Sequence, residues 1–224
     1  MNVAGERLPV VVLISGRGSN LRSIASEART DALPVDIRAV VSDRADAAGL
    51  EWARSVGLHC VTLSPKEFPD RMRYDEALAA LVASFAPGLV VLAGFMRILG
   101  PAFVDRFEDR MLNIHPSLLP RHRGLDTHRR ALEAGEREHG ASVHFVTREL
   151  DGGPVVLQAR VPIRDGDDEA TLAARVLEVE HRIYPQAVGW FAAGRLRCRD
   201  GAAWLDGRRL DQPIQLGAAD EATG

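Results

Sequence analysis

The stretch LPVVVLISGRGSN, residues 8–20, decides the predicted fold of this chain of 224 residues. Its first half, Leu8–Ile14, is a continuous apolar run, which is typical of a strand covered on both faces of a parallel sheet. A glycine-rich turn at residues 15–20 follows, and a helical stretch at residues 20–30 continues from it. A strand, a turn and a helix in this order predict the first unit of an α/β fold.

Further strands and helices alternate along the first half of the chain. Apolar runs predict strands at residues 35–42, 58–63 and 89–93, and helical stretches separate them at residues 46–56 and 70–85. Regular alternation of this kind is typical of a Rossmann-like fold, in which helices cover both faces of a doubly wound, mostly parallel sheet. The sequence therefore predicts the α/β class.

The pattern changes in the second half of the chain. Two β-type runs, residues 141–147 and 155–163, flank an acidic turn and predict an antiparallel hairpin added to the parallel sheet. Residues 167–190 predict a long helix, which Pro185 is expected to end or kink because proline lacks the backbone N–H donor. The other predicted elements are a strand at 111–115, a helix at 126–134 and a terminal hairpin at 195–199 and 202–205.

We expect one domain over residues 1–205 and a tail over residues 206–224. The last residues, QLGAADEATG at 215–224, lack an apolar pattern, so the tail is expected to be partly disordered. The start, residues 1–15, has one basic residue and a short apolar run, which indicates a strand and not a signal peptide. No apolar stretch approaches the roughly 20 residues that span a bilayer, so we expect a cytoplasmic protein with no membrane partner.

Charge and cysteine usage narrow the class of function. The chain has 28 basic and 31 acidic residues and a formal net charge of -3, so it lacks the domain-wide basic field that holds a nucleic acid. Cys60 and Cys198 lie far apart, and two buried thiols in a reducing cytoplasm are favoured over one disulfide. His122, His128 and His139 have no ligand-like spacing, so no metal is assigned.

The glycine-rich turn is a candidate anion site. The backbone N–H groups at a helix start attract anions where glycines leave them uncovered, as Gly16 and Gly18 do, and Ser19 and Asn20 can also cap the helix. Leu21 stands where the dinucleotide fingerprint needs a third glycine, and the Gly-Lys-Ser of a P-loop is absent from the turn. The turn therefore predicts a site for a single phosphate monoester. The alternative is a tight turn that simply needs small residues.

A polar constellation follows in NIHPSLLP, residues 113–120, and ELDGGP, residues 149–154. Asn113 and His115 point to the same face if the segment is extended, because strand side chains alternate. An amide can donate to a carbonyl oxygen and an imidazole can exchange a proton near neutral pH, which suits formyl transfer if Asp151 lies nearby. The alternative is a structural histidine at a strand end and an aspartate in a turn.

Longer motifs around these residues resemble the folate-dependent formyltransferases over about residues 10–205. SGRGSN and the intact ELDGGPV region are typical of the glycinamide ribonucleotide branch of that family. The motifs that carry the resemblance are VVLISGRGSNL at 11–21, VVLAGFMRIL at 90–99, LNIHPSLLP at 112–120, HGASVHFVTRELDGGP at 139–154 and AAWLDGRRL at 202–210.

The resemblance implies a reaction and three catalytic residues. Enzymes of this branch transfer the formyl group of a co-substrate, 10-formyltetrahydrofolate, to the amine of glycinamide ribonucleotide in de novo purine synthesis. Asn113 and a protonated His115 are implied to hold the oxyanion of a tetrahedral intermediate, and Asp151 to pair with His115. A neighbouring carboxylate favours the charged imidazolium.

The resemblance also implies contacts with the ribonucleotide. Gly18, Ser19 and Asn20 match the loop that binds its phosphate, and Glu180 matches a glutamate that holds the ribose hydroxyls. The alternative for Glu180 is a solvated helix face. A phosphate-binding half at about residues 8–100 and a catalytic and folate-binding half at about residues 101–205 are implied for the single domain.

The folate is expected along two segments and Asn113. Arg71 matches a basic position near the folate tail, with a plain surface cation as the alternative. His144 is expected near the site without a direct role, and Arg17, where many relatives carry asparagine, is left unassigned. The alternative for Met96, Ile98 and Leu99 is that they are simple core residues. The implied folate contacts are Met96, Arg97, Ile98, Leu99, Thr147, Arg148, Glu149, Leu150 and Asp151.

Other functions stay open beside this one. Related enzymes hydrolyse formyltetrahydrofolate, usually with an N-terminal regulatory domain, or formylate initiator methionyl-tRNA, with a basic C-terminal domain. This chain is expected to have no room for either domain, and its negative charge opposes tRNA binding. A non-catalytic nucleotide-binding module would not need Asn113, His115 and Asp151 together. We expect small-molecule substrates, no nucleic acid, and a monomer or weak homodimer.

Overall fold

The computed structural model describes residues 7–30 and 32–216. Within these residues, no helix has both the length and the apolar character that crossing a membrane requires. The α-helices are α1 (Ser19–Arg29), α2 (Ala48–Ser55), α3 (Arg71–Ser84), α4 (Pro101–Arg106), α5 (Thr127–Glu133) and α6 (Glu169–Ala192), and a 3-10 turn covers Pro65–Glu67. The strands are β1 (Leu8–Ile14), β2 (Val35–Ser42), β3 (Cys60–Thr62), β4 (Leu89–Leu92), β5 (Met111–His115), β6 (Glu138–Phe145), β7 (Val155–Pro162), β8 (Leu196–Arg199), β9 (Ala202–Leu205), β10 (Arg208–Arg209) and β11 (Ile214–Leu216).

Eight strands form one twisted sheet in the order β11-β7-β6-β5-β4-β1-β2-β3. Strands β1 to β5 run parallel to one another, whereas β6 is antiparallel to both β5 and β7. The predicted mostly parallel sheet and its added antiparallel hairpin are therefore confirmed. The strand order reverses between β1 and β4, and open α/β sheets bind ligands at the carboxyl edge beside such a reversal.

The apolar run of β1 is buried on both faces of the sheet, as its composition predicts. Val10, Val12 and Ile14 pack into the core beneath α1 and α6, while Val11 and Leu13 pack into a second core beneath α3 and α4. All five side chains are fully buried. Each contributes about 1.5–3 kcal/mol by leaving water, so this strand anchors both layers and holds the glycine-rich turn at its end.

Helix α6 is one continuous element of 24 residues. It begins with a capping box, in which the Asp168 carboxylate accepts from the Thr171 N–H at 2.8 Å and the Thr171 hydroxyl accepts from the Asp168 N–H at 2.9 Å. Of the two outcomes expected at Pro185, an end or a kink, the first is wrong, because the helix runs through Pro185 to Ala192. A proline inside a helix costs about 3 kcal/mol, and the complete burial of its neighbours Ile183 and Tyr184 offsets that cost.

The predicted terminal hairpin of β8 and β9 is confirmed, and β10 joins it as a small antiparallel sheet. Gln215 and Leu216, which were expected to be disordered with the rest of residues 215–224, instead belong to β11, a parallel edge strand beside β7. The amide of Gln215 donates to Gln158 Oε1 at 3.0 Å, which helps to hold that strand. Residues 217–224 of the predicted tail, and residues 1–6, lie outside the described residues.

Both cysteines are free thiols, as predicted. Cys60 lies on β3 and Cys198 on β8, so they belong to different sheets. Cys198 is buried, whereas Cys60 is only partly buried, which corrects the expectation of two buried thiols.

Candidate active site

Strand β5 presents two polar side chains at the carboxyl edge of the sheet. Leu112 and Ile114 pack into the core beneath α6, so the alternation along the strand turns Asn113 and His115 to the opposite face. His115 is buried, with 6% of its surface exposed. Pro116 follows directly, and it cannot extend the ladder of backbone hydrogen bonds.

Both ring nitrogens of His115 face oxygen acceptors. Nδ1 lies 3.5 Å from Asp151 Oδ2, an ion-pair distance slightly longer than a good hydrogen bond. Nε2 lies 2.9 Å from the His122 carbonyl oxygen, to which its N–H donates. The Gly124 N–H donates to Asp151 Oδ2 at 2.9 Å and fixes that carboxylate beside the imidazole. An imidazole between two acceptors has partners for two protons, as an imidazolium requires.

The Asn113 side chain contacts His144 on the neighbouring strand, a histidine that was expected near the site without a direct role. Asn113 Nδ2 lies 3.0 Å from His144 Nε2, and His144 Nε2 lies 3.7 Å from Asp151 Oδ1. Burial lowers the pKa of His144, so its ring is neutral at neutral pH. Asn113 and His144 are paired residues of β5 and β6, and that pairing cannot be read from one strand alone.

The glycine-rich turn leads into α1 without a side-chain cap, from the described part of the chain, on the first N–H groups of the helix. Gly18 precedes the helix in the left-handed region at φ +70°, and no side chain of the described residues caps α1. The prediction that Ser19 or Asn20 caps it is therefore wrong. A Cβ on Gly18 would lie 2.8 Å from Gly49 Cα, so glycine is required for the close approach to α2.

Asn20 contacts Glu180 instead of capping its helix. Its Nδ2 donates to Glu180 Oε2 at 2.7 Å. Glu180 is 7% exposed, so the alternative of a solvated helix face is wrong. Burial raises the pKa of Glu180, while the Asn20 hydrogen bond opposes that shift. Gly18, Ser19, Asn20, Glu180 and the unassigned Arg17 line one cavity of 900 Å³, which we name the turn cavity.

Two further cavities adjoin the turn cavity. A central cavity of 450 Å³ contains His115, Asp151 and Asn113 in its wall. A smaller side cavity of 100 Å³ is also lined by Asn113 and Asp151, with His144. The central cavity shares Met96 and Arg97 with the turn cavity, whereas the side cavity is lined by Arg97, Ile98, Leu99 and by Thr147, Arg148, Glu149, Leu150 and Asp151.

The segment at residues 96–99 is more exposed than a core segment. Met96 is 71% exposed and Ile98 is 55% exposed, so simple core is the wrong alternative for these two. Leu99 does pack against the core beneath α3. The Met96 N–H donates to Ser15 Oγ at 2.9 Å, which joins this segment to the glycine-rich turn.

Arg71 lies behind that segment, and it is not among the described residues that line the three cavities. Its Nη2 donates to the Ile98 carbonyl oxygen at 2.6 Å, and its Nε lies 3.5 Å from Asp75 Oδ2. Burial raises the pKa of Asp75. Arg71 therefore joins residues 96–99 to α3, whereas a plain surface cation would make no such bond.

The segment at residues 147–151 is pinned on both sides by ion pairs. Arg148 makes two bonds to the Asp105 carboxylate, at 2.8 and 2.6 Å, and Glu149 pairs with Arg123. Both pairs are exposed, so solvent screens them and they orient the segment more than they stabilise the fold. Leu150 remains half exposed at the rim of the central cavity.

His122, His128 and His139 form a polar group beside the central cavity, and His128 lines that cavity. His139 Nε2 lies 3.2 Å from His128 Nδ1, and His122 Nε2 lies 2.9 Å from Glu136 Oε1. Burial lowers the pKa of His128, and that of His139 to about 4. Across the described part of the chain, no three His, Cys, Asp or Glu side chains are grouped so that they could hold a metal ion.

Comparisons with known proteins identify the family of this chain. The formyl transferase family, defined by its sequence profile, matches residues 8–188. The chain is 56% identical to a phosphoribosylglycinamide formyltransferase of Escherichia coli over 95% of this chain and 99% of that one. A relative of the same name from Haemophilus influenzae is 46% identical over 90% of this chain and 95% of its own.

A solved structure has the same fold. The phosphoribosylglycinamide formyltransferase of Coxiella burnetii superposes with a TM-score of 0.88 and 48% identity, covering 93% of this chain and all of that one. A match that covers nearly the whole of both chains at this identity indicates a shared family and not only a shared fold class. The chain therefore belongs to the formyl transferase family, among the phosphoribosylglycinamide formyltransferases.

Proposed function

We propose that this protein transfers the formyl group of 10-formyltetrahydrofolate to the amine of glycinamide ribonucleotide, giving formylglycinamide ribonucleotide and tetrahydrofolate. The observation that carries the proposal is the position of His115 and Asp151, 3.5 Å apart in the wall of the central cavity. That cavity shares its walls with the turn cavity on one side and the side cavity on the other. A donor and an acceptor bound in those two cavities would meet at His115.

The ribonucleotide fits the turn cavity by its charge. Uncapped N–H groups at the start of α1 attract a phosphate monoester, and the buried Glu180 carboxylate supplies acceptors for ribose hydroxyls. We therefore assign Gly18, Ser19, Asn20 and Glu180 to the ribonucleotide. The amine end of the bound ribonucleotide would extend along Pro116 and His128, which line both the turn cavity and the central cavity.

The folate fits the side cavity together with the central one. Ligand sites are mostly apolar with a few fixed polar groups, and Phe95, Ile98, Leu99 and Leu150 supply the apolar walls. Backbone groups of residues 147–151 and the Asn113 side chain supply hydrogen-bonding partners beside them. Arg97 lines all three cavities and gives positive charge for the carboxylates of the folate tail. A contact of Arg71 with that tail stays a prediction from the resemblance.

The proposed chemistry needs one proton relay and one oxyanion site. The amine attacks the formyl carbon, the oxygen becomes an oxyanion, and the bond from carbon to the folate nitrogen then breaks. Asn113 and protonated His115 would donate to that oxyanion, and Asp151 would orient His115 and keep it charged. The amine loses one proton and the leaving nitrogen gains one, so the transfer is balanced.

The assay is spectrophotometric. Purified protein is mixed with 10-formyltetrahydrofolate and glycinamide ribonucleotide, and water alone serves as the control acceptor. Release of tetrahydrofolate only with the ribonucleotide present supports the proposal. Equal release without it would assign a hydrolase, and no release in either case would favour a nucleotide-binding module.

Several further assignments remain predictions within this proposal. The substrates are small molecules, the protein works in the cytoplasm, and it is a monomer or weak homodimer, which light scattering across a concentration series checks. The division into a phosphate-binding half at about residues 8–100 and a folate-binding half at about residues 101–205 also stays a prediction. Chimeras that combine one half of this chain with the other half of a relative, assayed separately for ribonucleotide and folate binding, would test it.

A further inference from the structure

His144 is a buried histidine with a defined partner on each ring nitrogen. It is 2% exposed and lies on β6 directly opposite Asn113 on β5. Its Nδ1 lies 2.8 Å from the Phe145 carbonyl oxygen, which can only accept a hydrogen bond. The proton of the ring is therefore on Nδ1.

The other ring nitrogen determines how the Asn113 amide is turned. A neutral imidazole with its proton on Nδ1 has an unprotonated Nε2, which accepts. Asn113 Nδ2 lies 3.0 Å from that atom and donates to it. The flipped amide would place its oxygen against an unprotonated nitrogen, so that two acceptors would face one another without a hydrogen between them.

The charges around His144 agree with a neutral ring. The Asp151 carboxylate, 3.7 Å from Nε2, favours a second proton on the ring, but His115 and Arg123 oppose it. Burial is the largest effect, and it disfavours the charged form. The Gly124 N–H and His115 both contact Oδ2 of the Asp151 carboxylate, whereas Oδ1, which faces His144, lies 3.7 Å away from Nε2, too far for a hydrogen bond.

We propose that His144 is a positioning residue, which as the neutral Nδ1–H tautomer holds one N–H of the Asn113 amide on Nε2 and thereby aims the other N–H at the formyl oxygen. Asn113 lines both the central and the side cavity, so the second N–H has space to meet a ligand there. The inference rests on the proposed function, in which Asn113 is an oxyanion donor. A donor acts on an oxyanion only if it is already aimed there, within roughly 10–20°.

Two variants separate the two ring nitrogens. The side chain of His144→Asn can replace the Nδ1 donor toward Phe145 but is too short to reach Asn113, whereas His144→Gln can reach Asn113 with an acceptor oxygen. We expect kcat to fall roughly 10- to 100-fold in His144→Asn, which is less than the loss on deleting an oxyanion donor outright. His144→Gln should retain most of kcat. The KM for the ribonucleotide should stay within about twofold, because His144 is not among the described residues lining the turn cavity.

His139→Asn is a matched control, because His139 is a buried histidine of the same strand with His128, not Asn113, as its partner. It should destabilise the chain to a similar degree while kcat changes less than about threefold. Equal kcat losses in His139→Asn and His144→Asn would show a general effect of removing a buried imidazole and would overturn the proposal. Unchanged kcat in His144→Asn would overturn it too.

The tautomer is measured on the protein alone. Long-range ¹H–¹⁵N spectra of histidine-labelled protein, assigned by the signals lost in His144→Gln, should show a protonated Nδ1 and an unprotonated Nε2 from about pH 6 to about pH 8. A protonated Nε2 in that range would overturn the proposal even in an active enzyme. Failure of the unchanged chain to transfer formyl would instead contradict the proposed function, so the two failures are distinguishable.

Discussion

Asn20 donates a 2.7 Å hydrogen bond to Glu180, although 160 positions of sequence separate the two residues. The bond joins the start of α1 to the middle of α6 at the wall of the turn cavity. Burial raises the pKa of the Glu180 carboxyl, and this hydrogen bond partly opposes the rise. A carboxylate buried beside the glycine-rich turn costs stability, and binding of the ribose hydroxyls, as proposed above, would explain why it is kept there.

Replacing this carboxylate should therefore separate stability from binding. Because the pKa of Glu180 is raised in the folded chain, the folded chain holds its proton more tightly than the unfolded chain, and stability is lost as pH rises above the ordinary value of 4.5. Glu180→Gln keeps an acceptor for Asn20 and removes the buried charge. We expect about 1 kcal/mol of added stability at neutral pH, no gain below that ordinary value, and a rise of about tenfold in the KM for the ribonucleotide.

Urea unfolding across pH and steady-state kinetics check both parts of this prediction. The matched control is Glu178→Gln, an exposed glutamate on the same helix. Loss of stability at neutral pH together with an unchanged KM would contradict the assignment of Glu180.

Removing the charge of Asp151 should reduce catalysis and leave binding intact. Asp151→Asn can still accept from the Gly124 N–H, but it no longer places a negative charge 3.5 Å from His115 Nδ1. We expect kcat to fall about 100- to 1000-fold, the range for loss of oxyanion stabilisation, while calorimetry gives nearly unchanged affinity for both substrates. Asp211→Asn, an exposed aspartate paired with Arg209, is the control. A rate close to that of the unchanged chain would exclude the role given to Asp151.

Shortening His115 tests the proposed oxyanion donor directly. His115→Ala removes both the contact to Asp151 and the bond to the His122 carbonyl oxygen. Turnover should drop about 100- to 1000-fold, with little change in ribonucleotide affinity because His115 is not among the described residues lining the turn cavity. Parallel measurements of single-turnover rate and of binding by calorimetry decide this. Near-normal turnover would contradict the assignment.

The phosphate of the ribonucleotide should dominate its binding. The turn cavity offers uncapped N–H groups at the start of α1, and charge-assisted hydrogen bonds to them each contribute about 1.5–3 kcal/mol. Isothermal titration should show the dephosphorylated acceptor binding at least about tenfold more weakly. Equal affinities would remove the glycine-rich turn from the site.

Local sequence patterns predicted the strands and turns whose formation depends on neighbouring residues. The unbroken apolar run of β1 implies burial on both faces, and both faces are buried. The alternation in β5 places Asn113 and His115 on one side for the same reason. Pro185 shows the limit of such rules, since the cost of one missing hydrogen bond is local while the burial that offsets it comes from the whole core.

The sequence by itself determined the α/β class, the glycine-rich turn, the polar residues of β5 and the resemblance to the formyltransferases, because periodicity and motifs are properties of neighbouring residues. The tertiary structure alone decided which distant groups meet. The register of β5 with β6 puts His144 against Asn113, and the packing of α1 on α6 buries Glu180 against Asn20. Strand register and helix packing depend on contacts across the whole chain, which no single segment contains.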